Sequence, residues 1–361
     1  MITLKDVCEK GSSNIKQSDL QEHDGEYPIY GASGFIKNVD FYQQDKPYIA
    51  VVKDGAGVGR VMKLPAYSSV ISTMQYIIPH DGVSVSYLSY VMDFMELAKY
   101  RTGATIPHIY FKDYCTEKLP AHSIQEQSKI AAILDKISAL IDFRKQQLEK
   151  LDELVKVRFV ELFGDPILNN KNWPMVTLGE IAELRIGPFG TLLHKEDYIS
   201  GGHALVNPSH IINGTICTDD NLTISDSKYE ELSAYQLQIG DIVLGRRGEM
   251  GRCAVVRVEG LLCGTGSMII RPNTQMKPYF LQNIISRPEY KEIIEGKAVG
   301  ITMMNLNVPI VSALSVPLLS LELQDNFTDY MSKIEKLRLT ICQGLDTMGT
   351  LKRALMQEYF G

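Results

Sequence analysis

No stretch of this 361-residue chain approaches the ~18 consecutive apolar residues that a bilayer span requires, and no charged-then-apolar leader opens it. A membrane-spanning or secreted protein is therefore not expected. The six cysteines (Cys8, Cys115, Cys217, Cys253, Cys263, Cys342) include no C-x-x-C pair, so they read as reduced thiols in a cytoplasmic protein. There is one tryptophan, Trp173. Positive charge is not in excess: 37 Lys and Arg against 43 Asp and Glu leave a net charge of −6. That balance argues weakly against a nucleic-acid binder, although a sum hides local patches.

The usual chemical signatures are also missing. No Gly-Lys-Ser/Thr follows a glycine loop, which excludes the common phosphate cradle. The run Gly55-Ala56-Gly57-Val58-Gly59-Arg60 is followed by Val61-Met62, a strand rather than a helix, so it reads as a tight strand-to-strand turn. Asn207-Pro208-Ser209-His210 resembles in part the Asn-Pro-Pro-aromatic loop of amino-methyltransferases. It lacks the second proline and the aromatic ring that stacks a flipped base. Glu289-Tyr290-Lys291 has no Pro-Asp shortly upstream, so no carboxylate pair for a divalent ion is evident and a solvated helix face is expected. The seven histidines show no metal-ligand spacing. These missing motifs count against a self-sufficient nuclease or methyltransferase.

One stretch lacks both proline and glycine for some forty residues: Ser123 to Phe163. Within it Ile130, Leu134, Ile137, Ile141, Leu148, Leu151, Val155 and Leu162 recur at alternating spacings of four and three, with Arg144 and Arg158 in the two gaps. That period makes one apolar stripe along a helix and calls for a partner helix. Ser123 and Glu126 form a capping box, and Gly164-Asp165-Pro166 is a stop. The same stretch recurs at an offset of 197: Pro120, Ser123, Gln127 and Phe163-Gly164 meet Pro317, Ser320, Gln324 and Phe360-Gly361. Its stripe is Phe327, Met331, Ile334, Ile341, Leu345, Met348, Leu355 and Tyr359, with Arg338 and Lys352 in the seam and Gly344 and Gly349 weakening the helix, which is expected to bend or to lean on its partner. Two long helices that each lack a partner are most simply each other's partner. Connectivity then requires an antiparallel coiled coil with a pseudo-two-fold and a circular organisation.

The segments between the helices also echo each other. Thr3-Leu4-Lys5-Asp6-Val7 matches Thr177-Leu178-Gly179-Glu180-Ile181, Gly59-Arg60 matches Gly251-Arg252, and Gly103-Ala104-Thr105 matches Gly300-Ile301-Thr302. Tyr48–Val52 and Gln75–Ile78 read as strands, and Val85–Tyr100 as a helix. The fold class is α/β (α+β): two similar mixed domains at 1–122 and 175–319, helices at 123–163 and 320–361, and a linker at 164–174. Basic and loop residues are the candidate DNA contacts: Lys53, Arg60, Thr105 and His108 in the first domain, and Arg185, Phe189, Lys195, His210, Arg246, Arg247 and Arg252 in the second. Arginine grips phosphate or takes a guanine edge, and glycine lets backbone N–H groups approach. Roughly 60 Å of helix corresponds to about 18 base-pair steps. A split, asymmetric duplex site is the natural target, since the two readers differ.

On these residues the chain resembles the specificity (S) subunit of type I restriction–modification enzymes. The resemblance rests on the repeated Pro-x-x-Ser-Ile/Leu-x-x-Gln start of a long helix ending in Phe-Gly. Tyr27-Pro28-Ile29-Tyr30-Gly31, Gly103 to Ile109 and Gly187-Pro188-Phe189-Gly190 add to it. It implies two target-recognition domains, a spacer set by the helices, and docking of two methyltransferase (M) subunits carrying S-adenosylmethionine. Restriction (R) subunits using ATP and magnesium join them, and the resemblance implies that this chain is non-catalytic, with no metal and no cofactor of its own. The alternative from another class is a coiled-coil scaffold with no DNA role.

Overall fold

The computed structural model describes residues 2–361 apart from 104, 166, 249 and 299–304, and gives no side-chain position for residue 191. Two compact units emerge, Met1–Leu148 with Thr340–Gly361, and Glu149–Leu339. The echo at Gly300-Ile301-Thr302 lies outside the described residues.

Unit 1 contains strands β1 (Cys8–Ser12), β2 (Tyr27–Gly31), β3 (Gly34–Val39), β4 (Tyr48–Val52), β5 (Val61–Leu64), β6 (Ser69–Val70) and β7 (Met74–Pro79), and helix α1 (Val85–Phe94). Four of them form an antiparallel sheet in the order β1-β7-β4-β5, and β3-β2-β6 form a second sheet in which β2 and β6 run parallel. β4 is buried at every residue, which is why it reads as an unbroken apolar run, Tyr48-Ile49-Ala50-Val51-Val52. The helix expected over 85–100 stops early. Glu96 sits at φ 51, a left-handed conformation that no α-helix continues through, and Leu97–Tyr100 forms a separate 3-10 turn.

Unit 2 repeats the plan with β8 (Ala182–Ile186), β9 (Tyr198–Ile199), β10 (His203–Val206), β11 (Thr223–Ile224), β12 (Ile242–Gly245), β13 (Cys253–Val255), β14 (Leu262–Cys263) and β15 (Ser267–Pro272). The main sheet is ordered β8-β15-β12-β13, the counterpart strand for strand of unit 1, and β10 pairs parallel with β14 as β2 does with β6. Helices α3 (Pro278–Ile285) and α4 (Pro288–Lys297) follow. Tyr290 is 2% exposed, so the solvated face expected at Glu289-Tyr290-Lys291 is corrected: its middle residue belongs to the core. The chain enters and leaves each unit on a two-strand ladder, Ile2–Thr3 with Lys118–Leu119 and Met175–Thr177 with Ser315–Pro317. The echoed Thr3 and Thr177 have the same job. Their N–H groups donate to Asp6 (2.8 Å) and Glu180 (2.6 Å), opening a one-turn helix.

The long helices are α2 (Ile124–Phe163) and α5 (Leu321–Phe360). Ser123 caps α2 as expected: its N–H and its hydroxyl each donate to Glu126 over 2.8 Å. Gly164 (φ 74) ends it. The segment after it is not a slack linker. Lys171 Nζ donates to the carbonyls of Glu161 (2.6 Å) and Leu162 (3.1 Å), and Trp173 Nε1 to that of Phe163 (2.9 Å), so it caps three of the last free carbonyls. In unit 1, Ile130, Ala131 and Leu134 near the start of α2 share a core with Met356 and Phe360 near the end of α5. In unit 2, Phe159 and Phe163 near the end of α2 pack on Phe327 near the start of α5, with ring centroids 5.4 Å apart in both pairs. The helices therefore run antiparallel. Every residue of the two stripes is buried or half-buried, and α5 stays helical through Gly344 and Gly349.

The seam cations divide. Arg338 of α5 pairs with Asp152 of α2 in unit 2, and Lys352 lies 5.3 Å over the Tyr90 ring in unit 1. Arg144 and Arg158 bond within their own helix, to Gln147 and Glu161. The repeated glutamine joins helix to domain. Gln127 Oε1 accepts from the N–H of Ser84, which caps α1, over 2.9 Å; Gln324 Oε1 accepts from the N–H of Lys277, which caps α3, over 2.7 Å.

Candidate nucleic-acid interface

In unit 1 the turn between β4 and β5 brings candidate residues together. Gly55 (φ 96) and Gly59 (φ 88) take conformations that favour glycine, and a Cβ on Gly59 would sit 2.4 Å from the backbone nitrogen of Ala98. This is a turn between strands, not a nucleotide cradle. Two other loops attach to it. The Gly55 N–H donates to the Pro107 carbonyl over 2.9 Å, the Ile109 N–H to that of Lys53 over 2.9 Å, and Asp54 bridges to His108. On the other side the Arg60 guanidinium donates to the Ala32 carbonyl over 2.8 Å, at the tip of the β2–β3 hairpin. Lys53, Arg60, Thr105 and His108 thus lie on one set of joined loops. Arg60 and Thr105 are exposed, and Lys53 is ion-paired with Asp54 at 3.2 Å. His108 has its Nδ1 3.2 Å from the Ile106 carbonyl and its ring 5.1 Å from that of Tyr110.

Unit 2 sorts its candidates differently. The turn from Gly245 to Arg252 is closed by the Gly245 N–H donating to the Arg252 carbonyl over 2.8 Å. Inside it Arg246 is 4% exposed, donating to the Thr265 carbonyl (3.3 Å), Asn305 Oδ1 (2.8 Å) and the Leu306 carbonyl (3.4 Å). Burial, and then the Arg247 cation, lower its pKa. The expectation that Arg246 faces a ligand is corrected: its guanidinium is spent on tying three loops together. His210 is likewise buried, its Nδ1 2.8 Å from the Leu205 carbonyl. Arg247 and Arg252 are half-buried, and Arg252 reaches the Ile211 carbonyl at 3.4 Å. Gly187 abuts Gly264, where a Cβ would lie 2.1 Å from a carbonyl oxygen, and Phe189, two residues on, is 60% exposed. Arg185 is exposed but held by Glu183 and the Ala234 carbonyl. Lys195 is exposed on a one-turn helix, and among the described residues no hydrogen bond or ion pair joins it to the other candidates.

Exposed apolar residues beside the unit 1 loops escaped the sequence reading: Phe35, Ile106 and Tyr110. The available signal was phase. Phe35 follows a hairpin glycine and is one residue out of step with Ile36, which packs with Ile29 and Val39. Among the described residues no group of His, Cys, Asp and Glu could hold a metal ion, and no helix is long and apolar enough to cross a membrane.

The sequence profile of the type I restriction modification DNA specificity domain matches residues 1–153 and again 170–346, and the chain belongs to that family. It is 21% identical over 349 residues to the type I restriction enzyme MjaVIII specificity subunit of Methanocaldococcus jannaschii, covering 88% of this chain and 81% of that one. It is 22% identical over 292 residues to the EcoBI specificity subunit of Escherichia coli, covering 72% and 61%. Among solved structures, the type I restriction–modification S subunit from M. genitalium superposes with a TM-score of 0.65 at 16% identity, covering 100% of this chain and 95% of that one. A chain from a study of complex assembly and conformational transition in the type I R-M system follows at 0.54 and 13%, covering 99% and 96%. At these identities the structural likeness speaks for the fold alone.

Proposed function

We propose that this chain is the DNA sequence-specificity subunit of a type I restriction–modification system. Each unit reads one half of a bipartite, asymmetric duplex site, and the paired helices set the gap between the halves. The observation that carries this reading is one strand order built twice, with different loops, on two long antiparallel helices. Residues 1–122 and 175–319 act as target-recognition domains. Lys53, Arg60, Thr105 and His108 are the contacts of the first; Arg185, Phe189, Lys195, Arg247 and Arg252 are those of the second, with Arg246 and His210 positioning their loops.

The chain recognises, and its partners do the chemistry. Two M subunits supply S-adenosylmethionine and methylate adenines; R subunits supply the ATP- and magnesium-dependent steps. On α2, Ile133, Leu140 and Phe143 in unit 1, and Leu154, Val157 and Val160 in unit 2, are exposed outside the seam, as suits helices that dock further subunits. The assembly works in the cytoplasm, on double-stranded DNA. The test is to map methylated adenines in the source genome with and without this gene. A split asymmetric motif that vanishes with the gene is expected; an unchanged methylation pattern overturns the proposal.

A further inference from the structure

We propose that Phe35 reads a base of the unit 1 half-site by seating its ring on the 5-methyl group of a thymine in the major groove. This rests on the DNA-reading assignment above and goes beyond it by naming a residue and the chemical group it takes.

The hairpin dictates where the ring points. A bulge at Ile36 shifts the hairpin register: Ile36 packs on the cluster of Ile29, Val39 and Ile71, while Phe35 pairs across the hairpin with Tyr30 and is 60% exposed. The turn Ala32-Ser33 is closed by the Gly31–Gly34 pair, with Gly34 at φ 115. The tip does not swing freely. Arg60 is bonded to the Ala32 carbonyl at 2.8 Å, and the Tyr30 ring meets the Phe35 ring edge to face at 6.1 Å. A lone exposed phenylalanine needs no explanation. What singles this one out is its setting: a held hairpin tip joined to the glycine turn by Arg60, which is exposed. An apolar protein partner would not favour that exposed guanidinium at the same tip, whereas duplex DNA does. The major groove admits a two-stranded ribbon, and its one protruding apolar group is the thymine methyl.

The experiment uses the chain assembled with its M subunits. Affinity is measured on duplexes in which each thymine of the unit 1 half-site is replaced in turn by deoxyuridine, which removes only the methyl group. The wild-type assembly is expected to weaken about fourfold at one position, the factor for one buried methyl-sized group. Phe35→Ala should weaken by at least as much on the unmodified site, show no further loss with deoxyuridine, and leave the other half-site unaffected. A half-site without thymine, an unchanged Phe35→Ala, or losses that multiply with deoxyuridine overturns the inference. If the wild-type assembly shows no sequence preference at all, the DNA-reading assignment fails first, and that result is distinct from a wild type that discriminates without Phe35.

Discussion

Single side chains decide how the reading units are held. Gln324 is fully buried, with its amide oxygen on the Lys277 N–H and its nitrogen on the Gln275 and Leu319 carbonyls, so Gln324→Ala strands three backbone groups. The expected loss is about 1–3 kcal/mol, read by urea unfolding. Its role was half legible. The repeat flagged Gln127 and Gln324 as equivalent, but their partners lie 43 and 47 residues away in sequence. Arg246 was misread for the same reason. An arginine in a glycine-rich turn looks solvated until Asn305 arrives from 59 residues downstream. Arg246→Ala should therefore lower stability before it changes base preference. The thiols sort by burial, which pushes those of Cys8 and Cys253 up to about 12, while Cys217 is exposed. Alkylation of the native protein near pH 8 should label Cys217 and spare Cys8 and Cys253; peptide mass mapping checks this.

At the scale of elements, the heptad stripe was the most legible feature, because its period is a property of one chain segment and needs no knowledge of its partner. Phe163 and Phe360 were legible only as the matched ends of the two helices and Phe159 not at all, yet all three flank the stripe and anchor the helix ends in aromatic clusters. Phe327 is at the centre of one cluster, and Phe327→Ala is expected to cost about 3–5 kcal/mol. The glycines of α5 go the other way. A Cβ on Gly344 or Gly349 meets nothing within 4 Å, so each change to alanine should stabilise by about 0.5–1 kcal/mol. Thermal unfolding of the two variants decides this, and a loss of stability would mean the helix needs glycine there. The small sheets and the early end of α1 at Glu96 were not legible, since a left-handed glutamate leaves no pattern in sequence.

At the scale of the whole molecule, the central claim is mechanical: helix length determines the unread gap of the DNA site. Four residues removed from both α2 and α5 take out about 6 Å, close to one turn, which keeps the apolar stripes facing. That length corresponds to about two base-pair steps at ~3.4 Å. The decisive measurement is the gap preferred by the shortened assembly, determined by methylation of a duplex library with every spacing between the two half-sites. The account predicts a gap about two base pairs shorter with both half-sites unchanged; an unaltered gap in a folded, active assembly would contradict it.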